Sequence, residues 1–134
     1  MGEDKKTVEL MVTIPPSINA CYANARTFGR RGRILTAAAR NWKETAGWAA
    51  KAAKSKAGWE VPAAEEKIVL ELVAYWPDRR RHDMNNVHKL LCDAFEGILY
   101  QDDCMVMVRD MDFYVDRKHP RLEVKLYKLG EECP

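Results

Sequence analysis

No stretch of this chain of 134 residues approaches the roughly 18–20 continuous apolar residues that cross a bilayer. The opening MGEDKKTVEL is charged where a secretory signal carries an apolar segment, so neither a membrane span nor Sec-type export is expected. Cysteine is sparse: Cys21, Cys92, Cys104 and Cys133 stand far apart with no C-x-x-C pair, which leaves reduced cytosolic thiols as the expectation. Gly29 and Gly32 form no phosphate-loop signature, and Ser17 lacks the context of a nucleophile elbow, so serine-type hydrolysis is set aside. An excess of one charge is also missing, since 22 basic and 20 acidic residues leave only +2. What is present is the composition of a folded domain, 47% hydrophobic and 31% charged. A single domain over 1–134 is expected, its core spanning about 7–128, because a chain of this size buries roughly two-thirds of its unfolded surface.

The charge is unevenly spread. Between Arg26 and Lys56 the bases Arg26, Arg30, Arg31, Arg33, Arg40, Lys43, Lys51, Lys54 and Lys56 face one acid, Glu44, and a second cluster, Arg79-Arg80-Arg81-His82, follows. Two basic regions in a small domain suit a polyanion, because each phosphate neutralised releases condensed counterions. A solvated helix face that keeps the protein soluble is the alternative reading.

Residues 7–14 alternate as a strand that Pro15-Pro16 stops. Residues 17–35 lack periodicity and read as an exposed basic loop, in which Tyr22 and Phe28 are candidates to stack on unpaired bases. Thr36 is a fitting N-cap for an alanine-rich helix that ends near Gly58. Residues 66–76 alternate as a second strand, expected to be central. From Asp83 or Asn85, the spacing of Val87, Leu90, Leu91, Ala94, Phe95 and Ile98 predicts a helix that breaks near Gly97. Two further strands, over CMVMVRDMDFYV and RLEVKLYKL, read as a hairpin. The order β-α-β-α-β-β predicts a two-layer α+β domain with helices on one face of a mixed sheet. Trp42, Trp48, Trp59 and Trp76 are expected in the core or at a dimer interface.

The densest polar constellation runs from Asp78 through Arg79, Arg80, Arg81, His82, Asp83, Asn85 and Asn86 to Lys89 and Asp93, with Asp102-Asp103 beyond the helix. Asn85 and Lys89 are i,i+4 neighbours, and Asp83 sits where the helix dipole favours an anion. Oxygen donors beside an ammonium fit a hard divalent cation and a scissile phosphate; an aspartate that merely caps its helix is the plainer alternative. His88 and Cys92, also i,i+4, have no second pair at zinc-ligand spacing and read as ordinary helix residues.

The string PDRRRHDMNNVHKLLCDAFEGILYQDD, taken with the early PPSINACY, resembles the RusA family of Holliday-junction resolvases, small endonucleases common in phages and prophages. The family pattern is a strand, an Arg-rich D-x-D-N-x-x-K-x-x-x-D motif, a helix, a closing D-D pair and two strands. The likeness covers most of 7–128. It implies a RusA-like fold and a cytoplasmic homodimer that resolves four-way DNA junctions by paired symmetric nicks, with Mg²⁺ as cofactor and Mn²⁺ as its substitute. It further implies Asp83 and Asp103 as metal ligands and Lys89 as the catalytic lysine. Asn86 would order the helix start or touch the metal's water shell, with Asp93 and Asp102 as supporting acids. Arg26, Arg30, Arg31, Arg33, Arg79, Arg80 and Arg81 would hold DNA phosphates.

One departure stands out. At the family's second motif carboxylate this chain has Asn85, whose amide oxygen can still coordinate Mg²⁺ while the site loses one negative charge. Natural variation with Asp83 and Asp103 sufficing, an engineered substitution, and compensation by another acid are the three explanations. A catalytically impaired or non-catalytic junction-binding protein is the corresponding functional alternative.

Overall fold

A computed structural model describes residues 6–16, 22–27 and 30–131, with residues 22–27, 30–35 and 131 described by their backbone. In chain order it contains β1 (Val8–Val12), β2 (Tyr22–Thr27), β3 (Arg30–Leu35), α1 (Ala37–Ala57), β4 (Ile68–Trp76), α2 (Met84–Phe95), β5 (Val106–Val115) and β6 (Arg121–Lys128). A 3₁₀ turn, Asp103–Met105, leads into β5, and a second, Leu129–Glu131, follows β6. The architecture is the expected α+β one. A four-stranded mixed sheet runs in the order β1-β6-β4-β5, with β4 and β5 parallel and the other neighbours antiparallel.

The alternation read from the sequence sets the layers. Ile68, Leu70, Leu72, Ala74 and Trp76 of β4 point into the core beside Leu122, Val124 and Leu126 of β6 and Val8 and Val12 of β1. Ala39, Trp42, Ala46 and Ala50 of α1, with Val87, Leu90, Leu91, Ala94 and Phe95 of α2, close that core from the same face. Leu90 and Leu91 are fully buried, and cutting either back to alanine would cost on the order of 2–5 kcal/mol. Three of the four tryptophans are core residues, as expected, and two of them bond through the indole N–H: Trp42 to the Thr13 carbonyl at 2.9 Å and Trp59 to the Leu99 carbonyl at 2.8 Å. Trp48 instead lies on the outer side of α1, 59% exposed.

The helix ends follow their capping residues. The Ala39 N–H donates to Thr36 Oγ1 at 3.3 Å, and Gly58 ends α1 in the left-handed region at φ 64°, where a side chain would be strained. Asp83 Oδ1 accepts from the Asn85 and Asn86 N–H groups at 3.0 and 3.3 Å and so fixes the start of α2. Gly97, at φ 83°, turns the chain away after its end.

Two expectations fail. Residues 22–27 and 30–35 are not a structureless loop but an antiparallel ribbon, with Arg26 paired to Arg31 and Thr27 to Arg30. Arginines and small residues give this ribbon no apolar alternation in the sequence, so periodicity could not reveal it. Its one sequence signal was Gly29 at the second position of a two-residue connection.

The last two strands are also not a hairpin, because β4 lies between them. The strand–helix–strand order of β4, α2 and β5 is a parallel crossover unit. β4 is the most apolar strand and takes an interior position between β6 and β5, which leaves the partly polar β5 at the edge. The chain then passes over the end of β4, tied there by the Asp116 N–H donating to the Trp76 carbonyl at 2.8 Å.

Candidate functional site

The polar residues singled out from the sequence separate into two groups at opposite ends of α2. At the N-terminal end Asp83 caps the helix, and Asn85 and Lys89 follow one turn apart on the exposed side. Asn86 is buried, and its Nδ2 donates to the Pro16 carbonyl at 3.3 Å. That bond ties the segment after β1 to the helix start, which gives Asn86 an ordering role there.

The arginine turn that leads into this helix is organised by Asp78. Its carboxylate accepts from the Arg80 N–H at 2.9 Å and from Arg80 Nε at 3.0 Å, and it meets His82 Nε2 at 3.1 Å. These bonds from Arg80, more than any other influence, hold the Asp78 carboxyl down at about 2. Arg79, Arg80 and Arg81 are all exposed. Trp76 pairs with Val115, so the exposed Arg117 and Lys118 leave the sheet at the same end as the arginine turn. Among the described residues this end gathers Arg79, Arg80, Arg81, Arg117 and Lys118, with Asp78, Asp83, Asp116 and Glu123 as its acids. The side chains of Tyr22, Arg26, Arg30, Arg31 and Arg33 lie outside what the structure describes, as does all of Phe28.

At the other end of α2 stands an acidic cluster. One carboxylate oxygen from each of Glu96, Asp102 and Asp103 lies within 4.8 Å of the others. Glu96 Oε2 accepts from the Asp103 N–H at 3.1 Å, and Asp102 Oδ1 accepts from the Cys104 N–H at 2.9 Å. Loss of solvent first, then the charges of Glu96, Asp102 and Asp93, raise the Asp103 carboxyl above the ordinary carboxylate range. The bonds from Cys104 lower Asp102 instead. Carboxylates that repel one another and share a small volume of oxygen donors suit a hard divalent cation, because the cation relieves the repulsion. Among the described residues this is the one cluster of three acids, histidines or cysteines close enough to share an ion. Glu96 escaped the sequence reading. Its signal was an acid at the predicted helix end, seven residues before Asp103.

Asp83 and Asp103 are not brought together within one chain. The 12 residues of α2 lie between them, a rise of about 18 Å. The resemblance implies both as metal ligands, and within one chain this fold holds them at opposite ends of α2. His88 makes no site with Cys92: its Nε2 meets Asp110 Oδ1 of β5 at 2.7 Å, pinning α2 to the edge strand.

Beside α2, β5 presents a long open edge. Among the described residues it pairs with β4 alone, and Met111 (54%), Phe113 (68%), Tyr114 (49%) and Val115 (43%) are exposed along it. Such an edge is a template for another strand. Among the described residues no helix is long and apolar enough to cross a membrane.

Comparison with known proteins assigns the domain. No curated protein matches the chain significantly. A family model described as endodeoxyribonuclease RusA matches residues 13–127, a span that takes in both ends of α2, the arginine turn and the open edge of β5. The mixed sheet with its two helices on one face is consistent with that family's fold, and the chain belongs to the RusA endodeoxyribonuclease family.

Proposed function

We propose that the protein is a homodimeric, Mg²⁺-dependent endonuclease that resolves four-way DNA junctions by paired nicks, each active site being shared between two subunits. The observation that carries this reading is the position of Asp83 and of the Glu96–Asp102–Asp103 cluster at opposite ends of one helix, alongside an unpaired strand edge. Antiparallel pairing of β5 with its copy about a two-fold axis exchanges the ends. The acidic end of one subunit then lies beside the Asp83 end of the other.

The residues of β5 favour one register. With the axis between Asp110 and Met111, Arg109 faces Asp112 of the partner subunit, and Val108 faces Phe113 of the partner subunit. An axis on Asp110 sets that acid against its own copy, and one on Met111 sets Asp110 against Asp112 of the partner subunit. Both alternatives oppose like charges.

Within such a site Asp103, Glu96 and Asp102 from one subunit and Asp83 with the Asn85 amide oxygen from the other would hold the cation. The chemistry it supplies when bound is Lewis acidity toward a phosphate oxygen. Glu96 offsets the negative charge that Asn85 lacks, which favours compensation among the three explanations for that asparagine. Lys89, one turn from Asn85, is directed at the charge that develops on the scissile phosphate. Arg79, Arg81, Arg117 and Lys118 at the same end, with Arg26, Arg30, Arg31 and Arg33 of the ribbon, hold the arms through phosphates, so binding falls steeply with salt.

A synthetic four-way junction incubated with the protein and Mg²⁺ tests the reading. Symmetric paired cuts, slowed on the order of 10²–10³-fold by Lys89→Ala, are expected. Junction binding without cleavage in either Mg²⁺ or Mn²⁺ would establish the non-catalytic alternative instead.

A further inference from the structure

Asp83 and Arg81 edge a cavity of about 360 Å³ whose apolar walls and aromatic rings take no part in the cleavage chemistry. Its apolar walls are Ile14, Pro15, Pro16 and Val87, and two rings, Trp76 and His82, line it together with the Asn86 amide. Arg81 and Asp83 are its charged members. The volume lies at the lower end of the range for small-ligand pockets, roughly 300–1,000 Å³.

The two rings are already stacked. Trp76 and His82 lie with centroids 4.1 Å apart and planes 2° from parallel. Trp76 is buried, whereas the His82 side chain keeps 22% of its surface, so the stack has an accessible end. Asp78 locks the imidazole in that orientation at 3.1 Å. A flat aromatic surface with a fixed orientation, rigid proline walls and an arginine beside it matches a nucleobase with its phosphate.

We infer that this cavity is a nucleobase subsite, which takes up an unstacked base next to the scissile phosphate and so selects where along a junction the enzyme cuts. The inference rests on the endonuclease reading and names a part of the substrate that reading leaves undetermined. A base entering the cavity adds a third ring to the Trp76–His82 stack. The strand leaving it then passes Asp83 on one side and Arg81 on the other. A base on an aromatic platform is worth roughly 5- to 150-fold in binding.

The test is a cycle of substrate and protein changes, read as kcat/KM on a four-way junction. Nucleotides flanking the cut are replaced one at a time by an abasic residue, and each substrate is given to the wild type, to Ile14→Trp, which fills the cavity from its partly exposed wall, and to His82→Ala. For the wild type, removal of one flanking base is expected to lower cleavage at least tenfold. For both variants the intact and abasic substrates are expected to be cut within about twofold of each other, and preference among cutting sequences flattens. His82→Phe, which keeps a flat ring but not the bond to Asp78, retains the base dependence.

Equal loss on base removal in wild type and both variants, or no loss in the wild type, overturns the subsite while leaving the endonuclease intact. Absence of any junction cleavage by the wild type overturns the endonuclease reading and the subsite with it.

Discussion

Asp83 and Asp103 mark the two ends of α2: Asp83 caps the first turn, and the Asp103 N–H bonds Glu96 just beyond the last. A site built from both in one chain would have to span the helix, whereas two chains paired in opposite directions bring the ends together. Mixed dimers distinguish these cases. Asp83→Asn and Asp103→Asn, each inactive alone, are expected to regain junction nicking when co-refolded, because one of the two shared sites is then wholly wild type. The mixture should give single nicks in place of paired ones, scored on a denaturing gel. If each site came from one chain, no mixture would regain activity.

The open edge of β5 carries a separate prediction. Phe113 is 68% exposed and outside the core, so Phe113→Lys is expected to leave thermal stability of the subunit nearly unchanged while it dissociates the dimer. Light scattering should report a monomer, and cleavage should fall at least a hundredfold at equal protein concentration. Arg109→Asp is expected to weaken the dimer, and Arg109→Asp combined with Asp112→Arg to restore it, since the pair is exchanged across the two-fold axis.

Burial and neighbouring carboxylates raise Asp103 on folding. A group raised in this way favours the folded state fully below its unfolded value and loses that contribution as pH climbs through the folded one. Asp103→Asn is therefore expected to match the wild type in thermal melting at about pH 3 and to melt higher at about pH 7. Mg²⁺ should raise the wild-type midpoint, with EDTA reversing the effect, and should raise that of Glu96→Gln much less.

Asp83 has a structural and a chemical duty that substitutions separate. Asp83→Asn keeps an N-cap acceptor and should hold stability within a few tenths of a kcal/mol, whereas Asp83→Ala loses about 1 kcal/mol. Both are expected to abolish cleavage. Lys89→Ala should lower kcat by on the order of 10²–10³ with junction affinity reduced only severalfold, as measured by single-turnover cleavage and gel shift.

Asn85→Asp restores a carboxylate to the exposed first turn of α2. The Mg²⁺ concentration for half-maximal cleavage is expected to fall severalfold, because a full negative charge replaces an amide dipole at the cation. An unchanged metal requirement would show that Glu96 already compensates in full.

Much of the fold was legible locally. Thr36 and Gly58 bounded α1, Asp83 and Gly97 bounded α2, and the alternation of residues 68–76 marked the strand that became central. These signals are short in range: a hydroxyl or carboxylate that accepts an orphan N–H, a glycine free to adopt positive φ, a period of two along a buried strand. The ribbon over 22–35 escaped because nothing apolar recurs along it, and β5 was misplaced because strand composition does not report which neighbour a strand pairs with.

The candidate site divided along the same line. The sequence by itself determined which chemistry the chain carries: acids at 83, 102 and 103, a lysine one turn beyond Asn85, and arginines clustered before them, since these are matters of residue type and spacing. Tertiary structure alone decided who shares a site with whom. It set Glu96 beside Asp102 and Asp103, separated that cluster from Asp83 by a helix, and left β5, among the described residues, paired on one side only. The reason is geometric: distance along a helix grows by 1.5 Å per residue whatever its side chains, and only the packing of strands and helices determines which ends meet.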